Sequence, residues 1–283
     1  METELEKIFA DFMAWKAKPD TWIISFMGGT QFLYLLEGSE KALLIDTGYA
    51  LGDIRAFAEK LTDKPIELIN THFHPDHAGG NGHWPWVYVS DSWAVDAKSI
   101  EKTVGDPSAL PYPDYEKVAV TDGDIIDLGG RKIEIMKAAD CHSYSSLYLL
   151  DRKERMLFMG DEIDSWQVLL YDNSNDPETA SHFDTGTALA HYKANLLRVK
   201  ALDSEYDWLM GNHNGAPLDK SYIDDFLGLI DGVYSGESEI CAKLDHKYIE
   251  MDPVAPRLCR IRYKKASAFV FKDQLMDIRK DIC

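Results

Sequence analysis

Six consecutive residues, His72-Phe73-His74-Pro75-Asp76-His77, constrain this chain more than any other stretch. Neutral imidazole and carboxylate oxygen both suit transition metals such as zinc, so three histidines and an aspartate within six positions form a dense ligand set. The apolar run Ile66-Glu67-Leu68-Ile69-Asn70-Thr71 precedes the cluster and Ala78-Gly79-Gly80 follows it. With Pro75, these small residues predict a chain that leaves a strand, turns and enters a helix. A strand would point His72 and His74 the same way, and a helix would pair His74 with His77. A turn between them divides the ligands over two metals, with His72 and His74 on one side and Asp76 and His77 on the other. Histidines that merely cap a strand end are the bland alternative. It is a poor one, because this stretch holds three of only nine histidines in the chain.

Three further positions can complete a two-metal site. His142 follows an alternating strand pattern over 131–137, Asp161 ends the apolar run Leu157-Phe158-Met159-Gly160, and His213 follows Leu209-Met210-Gly211-Asn212. Each lies just past a strand end, where loops on a rigid scaffold build sites. Singly they read as a turn residue, a helix cap and a loop residue. Their joint occurrence with the cluster carries the argument.

At this point the sequence resembles the metallo-β-lactamase superfamily. Residues 72–77 meet that family's H-x-H-x-D-H motif, and His142, Asp161 and His213 supply its later ligands in order. Asp46, in Leu43-Leu44-Ile45-Asp46-Thr47-Gly48, falls on its early strand-end aspartate, and the turn over 122–130 looks like the one before its third ligand. The resemblance runs from about residue 20 to 215. It implies an α/β fold, the αββα four-layer sandwich of two mixed sheets flanked by helices, with two divalent metal ions at one sheet edge. It assigns His72, His74 and His142 to one metal, Asp76, His77 and His213 to the other, and Asp161 to both. Asp46 would support the motif loop through hydrogen bonds without touching metal. Zinc is the expected metal, and iron or manganese accept the same ligands.

The departures from the family matter as much. True β-lactamases lack the bridging aspartate, so Asp161 argues against one. The diiron flavoprotein branch places Glu where this chain has His74. The third-ligand loop, commonly Pro-Gly-His-Thr, here reads Asp140-Cys141-His142-Ser143, with Cys141 taken as a packing residue. Lactonases of the superfamily place Tyr three residues past the bridging aspartate, where this chain has Asp164. Glutathione thioesterases carry a basic terminal helical domain, whereas the helix expected over 219–234 contains Asp224, Asp225 and Asp231.

Two metal ions about 3.5–4 Å apart can share a water and bring its pKa from 15.7 towards about 7. The hydroxide so formed attacks a carbonyl, with Asp76 orienting it and moving its proton. The expected activity is hydrolysis of an ester, lactone, thioester or amide of a small molecule. A two-metal phosphodiesterase or nuclease, and a diiron redox or sensor protein, are the competing readings. Substrate selection is expected in segment 162–186, through Asp164, Trp166, Gln167, Leu170 and Tyr171, with Tyr49, Phe73 and Tyr144 beside the metal motifs.

Bulk properties narrow the partners. With 48 acidic against 30 basic residues, the chain carries a formal charge of −18, which disfavours nucleic acid and anionic membranes. The densest basic run, Arg260-Ile261-Arg262-Tyr263-Lys264-Lys265, alternates like a solvated edge strand. The four cysteines match no disulfide or structural zinc spacing, and the acidic start is unlike a signal peptide, so a cytoplasmic protein is expected. A homodimer is the base-rate expectation.

A single domain over 1–283 is expected. Its elements are an amphipathic helix over 3–17, a meander over 22–45, a helix over 52–61 and a strand at 66–70. Next come a strand at 86–89, a helix over 91–102, a Pro- and Asp-rich loop over 104–116 and a hairpin over 147–159. The carboxy-terminal part is expected as a helix over 187–202, helical structure over 219–250 and two closing strands over 258–271.

Overall fold

Strands that are apolar on both faces must be covered on both faces, and this chain covers them by stacking sheet on sheet and helix on sheet. The computed structural model describes residues 12–49, 52–97, 115–171, 184–241, 244, 250 and 254–280. The first sheet takes seven strands in chain order: β1 (Met13–Lys18), β2 (Thr21–Phe26), β3 (Gln31–Glu37), β4 (Ala42–Ile45), β5 (Ile66–Ile69), β6 (Trp86–Ser90) and β7 (Glu116–Val120). Strands β1 to β4 form the antiparallel meander, and β4 to β7 run parallel.

The second sheet is built from β8 (Ile125–Asp127), β9 (Lys132–Lys137), β10 (Leu147–Asp151), β11 (Met156–Gly160), β13 (Trp208–Gly211) and β14 (Leu218–Asp219). Between the two sheets, Ile23, Tyr34, Leu36, Leu43 and Ile45 meet Ile133, Ile135, Leu147, Leu149 and Phe158. On the outer face of the first sheet, Ile24, Leu33, Leu35 and Leu44 pack under helix α1 (Ile54–Ala58) and Trp84. On the outer face of the second, Leu150, Leu157 and Leu209 pack under α3 (Thr185–Ala201) and α4 (Ser221–Ser235). The short helix α2 (Pro75–Ala78) carries part of the histidine motif. The layers are therefore helix, sheet, sheet, helix, as the resemblance implies.

A third sheet was not expected. Strands β15 (Glu239–Cys241), β16 (Leu258–Tyr263) and β17 (Ala266–Phe271) form it with the two-residue β12 (Val168–Leu169), in the order β12-β17-β16-β15. Cys259, Ile261, Ala268 and Val270 share the core under α3 and α4, joined by Leu275 of the terminal helix α5 (Lys272–Lys280).

Several elements differ from the sequence reading. Residues 13–17 of the expected first helix are β1, paired antiparallel with β2, and 3–11 lie outside the described residues. The apolar spacing there suits a helix, but the open edge of β2 offers backbone hydrogen bonds that outweigh it. The helix expected over 219–250 ends at Ser235, where Gly236 adopts φ 85°, and 239–241 is a strand. Helix α1 is shorter than 52–61; Asp53 starts it by accepting a hydrogen bond from the Ala56 N–H at 2.9 Å. The basic run 260–265 is not on an edge: β16 lies between β15 and β17, and Arg260 is buried. Residues 104–114 of the Pro- and Asp-rich loop, 172–183 of the substrate segment and Cys283 lie outside the described residues. Among the described residues no disulfide joins the cysteines, and no helix is long and apolar enough to cross a membrane.

Candidate metal centre

The candidate ligand side chains gather where strand ends of the two main sheets meet. His72 and His74 leave β5, His77 sits in α2, His142 lies between β9 and β10, Asp161 follows β11 and His213 follows β13. Backbone bonds lock the sheets together at this edge. The Leu147 N–H donates to the Thr71 carbonyl at 2.7 Å, and the Phe32 N–H to the Asn212 carbonyl at 2.8 Å. Gly160 turns Asp161 inward at φ 58°, and a Cβ there would stand 2.9 Å from Thr71 Oγ1. Only glycine satisfies both demands.

The seven groups fall into two adjoining clusters, His72, His74 and His142 in one and Asp76, His77, Asp161 and His213 in the other. In the first, His72 Nε2 lies 3.1 Å from His74 Nδ1 and 3.3 Å from His142 Nε2. In the second, His213 Nε2 lies 3.3 Å from Asp76 Oδ2 and 3.4 Å from Asp161 Oδ2. The Asp161 carboxylate faces both clusters, with Oδ1 3.2 Å from His77 Nε2 and Oδ2 3.6 Å from His142 Nε2.

The hydrogen bonds on the far side of each ring decide what the near side offers. His142 Nδ1 lies 2.9 Å from the Leu169 carbonyl, and His77 Nδ1 lies 2.9 Å from Asp46 Oδ2. His72 Nδ1 lies 3.1 Å from Thr71 Oγ1, whose own proton goes to Asp46. Each oxygen acceptor holds the ring proton on Nδ1 and leaves a lone pair on Nε2. The lone pairs of His72 and His142 therefore face each other at 3.3 Å. His77 Nε2 and Asp161 Oδ1, both buried, make no hydrogen bond among the described residues. Buried acceptors turned towards one another repel unless a cation lies between them, so the donor set fits metal ions.

Charge tells the same story. Burial holds the His72 and His142 rings below the ordinary imidazole range, and neighbouring histidines add to the effect. Burial also depresses His213, but Asp161 and Asp76 outweigh it and push the ring up to about 10. For His77 burial again acts downward, and Asp161, Asp76 and Asp46 together raise it well above its usual value. Without metal, protons occupy the cation positions of the second cluster.

Metal added to stripped protein at pH 7 is accordingly expected to release protons, and its affinity should climb as pH rises towards 10. Titration calorimetry in buffers of different ionisation enthalpy reads the release directly; a buffer-independent heat would contradict it. The raised His213 value also stabilises the metal-free fold below about 6.5. That contribution is lost as pH rises through about 10, so the unfolding midpoint of stripped protein should fall over this window.

Asp46 supports the cluster from behind, fully buried at φ 64°. It accepts hydrogen bonds from Thr71 N and Oγ1 at 2.7 Å, Asn212 Nδ2 at 2.7 Å and His77 Nδ1. Thr71 and Asn212 escaped the sequence reading, although both adjoin ligands. Asp96 escaped it too: buried in helical residues 93–97, it accepts from the N–H groups of Tyr144 at 2.9 Å and Ser145 at 3.0 Å and shapes the loop after His142. Nothing local marks Asp96. Behind the loop, Asn195 donates to Glu162 Oε2 at 3.1 Å and lies 3.6 Å from Cys141 Sγ. Burial, with Glu162 nearby, keeps the Cys141 thiol well above the ordinary range, so it is protonated and packed.

The expected pocket residues scatter. Tyr49 and Trp166 are 39% and 45% exposed beside ligand-bearing loops. Phe73 is buried with its ring 5.7 Å from that of Trp93, and Tyr171 is buried against Phe271 in the third sheet's outer core. Leu170 is core, and Tyr144 packs against the same cluster. Asp164 is buried and accepts from Gln167 N at 3.0 Å and Asn214 Nδ2 at 2.8 Å, while Gln167 is buried close by.

Comparison with known proteins follows the same lines. A family model described as Metallo-beta-lactamase superfamily matches residues 27–205. The acyl-coenzyme A thioesterase MBLAC2 of Bos taurus is 26% identical over 166 residues, 48% of this chain and 59% of that protein. Hydroxyacylglutathione hydrolase of Hyphomonas neptunium is 30% identical over 126 residues, 44% of each chain. The alignments thus span only about half of these relatives. A solved beta-lactamase domain protein from Burkholderia ambifaria superposes with TM-score 0.61 at 17% identity, over 78% of this chain and 77% of that one.

Proposed function

Because the chain belongs to the metallo-beta-lactamase superfamily, we propose that it is a two-metal hydrolase whose substrate is a small-molecule thioester. The observation that carries the metal reading is the Asp161 carboxylate, which belongs to the cluster of Asp76, His77 and His213 and reaches to within 3.6 Å of His142 Nε2 in the three-histidine cluster. His72, His74 and His142 would hold one ion and Asp76, His77 and His213 the other, with Asp161 within reach of both. Zinc suits these ligands, with iron or manganese as substitutes. Bound there, the ions supply Lewis-acid polarisation of a carbonyl and a water acidic enough to ionise near neutral pH.

The chain's own residues do the rest. Asp76, 20% exposed beside His213, is the carboxylate placed to take and return a proton. Burial works to protonate it, but His77 and His213 hold it well below the usual carboxylate range, so it is ionised. Asp46 keeps the His77 ring aimed. Of the expected pocket residues, Tyr49 and Trp166 are the ones exposed enough to meet a substrate.

The leaving group favours a thioester. Asp164 stands three residues past Asp161, where the lactonase resemblance expects a tyrosine, and it accepts hydrogen bonds from Gln167 N and Asn214 Nδ2, so this chain has no phenol donor at that position. A thiolate, with a parent pKa of about 8.5, leaves without such a donor. The thioesterase and hydroxyacylglutathione hydrolase relatives point the same way. The acidic residues of α4 do not oppose this reading, since Asp224 and Asp231 are paired with Lys200 and Lys193 of α3.

The test is a panel of acyl-coenzyme A, acyl-glutathione, a lactone and bis(nitrophenyl) phosphate on zinc-, iron- and manganese-loaded protein. Thiol release from at least one thioester is expected to exceed lactone opening. Phosphodiester cleavage with no thiol release would overturn the proposal.

A further inference from the structure

The three-histidine cluster has a support beyond the family core. The carbonyl that receives the His142 Nδ1 proton, that of Leu169 at 2.9 Å, belongs to β12, inside the matched family region of residues 27–205, but the other strands of its sheet all lie past residue 205. Two residues cannot hold themselves as a strand. What holds β12 is β17: Val168 pairs with Ala268 and Leu169 with Phe269, and the Leu170 N–H donates to the Phe269 carbonyl at 3.0 Å. The Leu169 C=O and the Leu170 N–H belong to one trans peptide and point opposite ways, so a Leu170 N–H turned towards β17 leaves the Leu169 carbonyl turned away from it. Because β12 is the outermost strand of its sheet among the described residues, that carbonyl is available to the histidine.

Arg260 of β16 grips the same segment with its side chain. Only 3% exposed, it donates from Nη2 to the Trp166 carbonyl at 2.9 Å and from Nε to Ser267 Oγ at 2.6 Å, with its guanidinium over the Phe269 ring. A buried guanidinium is costly to desolvate and is kept in place by its partners. Here the partners are the strand that pairs with β12 and the segment that leads into it.

We propose that the carboxy-terminal sheet is a positioning device for the three-histidine metal site, with Arg260 as its anchor. Through segment 166–170 it places the Leu169 carbonyl, and that carbonyl sets the tautomer and tilt of His142. The inference rests on the metal reading above. It adds that residues 258–271 tune one of the two sites and not the other.

The test compares metal affinities in stripped protein titrated with Co²⁺ by absorption and calorimetry. Wild type is expected to show two binding events, and a His142→Ala reference identifies the one due to the three-histidine site. In Arg260→Met that event should weaken about 10–100-fold, the usual effect of losing a group that orients a ligand, while the other stays near wild type. Arg260→Lys, which can still donate to the Trp166 carbonyl, should restore part of the loss. Ser267→Ala keeps Arg260 and frees only its Nε, so it gives a milder version of the same asymmetry should Arg260→Met fail to fold. Equal weakening of both events, or no change in either event in folded variants, overturns the proposal. A wild type that binds no metal ends the metal reading itself, which separates the two failures.

Discussion

Asp161→Ala is expected to leave the chain folded while costing it both metals and its hydrolytic activity. The carboxylate lies within 3.6 Å of ring nitrogens from both clusters, so on the proposed two-metal reading its removal would take one ligand from each site at once. Losing a group that merely orients a ligand costs about 10–100-fold in metal affinity, and losing a shared ligand should exceed that range. Metal analysis after dialysis is the direct measurement. Retention of wild-type metal content would sink the bridging role and with it the two-metal hydrolase. A second readout is His213, whose largest upward push comes from Asp161, so its imidazole should titrate well below about 10 in the stripped variant. Fold should survive, because Asp161 lies at a strand end and its side chain is partly exposed.

Asp46→Ala is expected to hurt stability as well as metal binding. Its carboxylate receives the donors of Thr71, Asn212 and His77 in a site closed to water. Each buried donor left unpaired costs about 1–3 kcal/mol. Breaking such a buried charged network costs about 3–5 kcal/mol, which lowers the unfolding midpoint by roughly 10 °C in a chain of this size. Metal affinity should fall about 10–100-fold as the His77 ring loses its aim. Asp46 also sits at φ 64°, where alanine is strained and glycine is not. Asp46→Gly should therefore recover about 1 kcal/mol of the stability lost in Asp46→Ala without recovering metal affinity. A midpoint unchanged by Asp46→Ala would show that the network is ornamental.

Legibility followed distance along the chain. The 72–77 motif is readable because six adjacent residues carry their chemistry and their turn together, and His142, Asp161 and His213 because each ends a recognisable apolar run. The meander β2–β4 and the hairpin β10–β11 were legible for the same local reason. Phe73 and Tyr171 illustrate the limit, since an aromatic next to a motif carries no sign of whether it faces a pocket or a core. Arg260 shows the reverse case, a charged residue in an alternating basic run that burial and three partners remove from the surface.

By itself, then, the order of residues determined the ligand chemistry, the family resemblance and the strands that flank the ligands, because periodicity and metal-binding motifs are properties of neighbours. Only the tertiary structure decided that residues 13–17 pair as a strand, that β12 exists, and that the His72 and His142 lone pairs face each other. Edge pairing, desolvation and ring orientation each depend on a partner that the chain supplies from far away. Leu169 meets β17 about a hundred residues on, and a two-residue strand has no periodicity from which to foresee it.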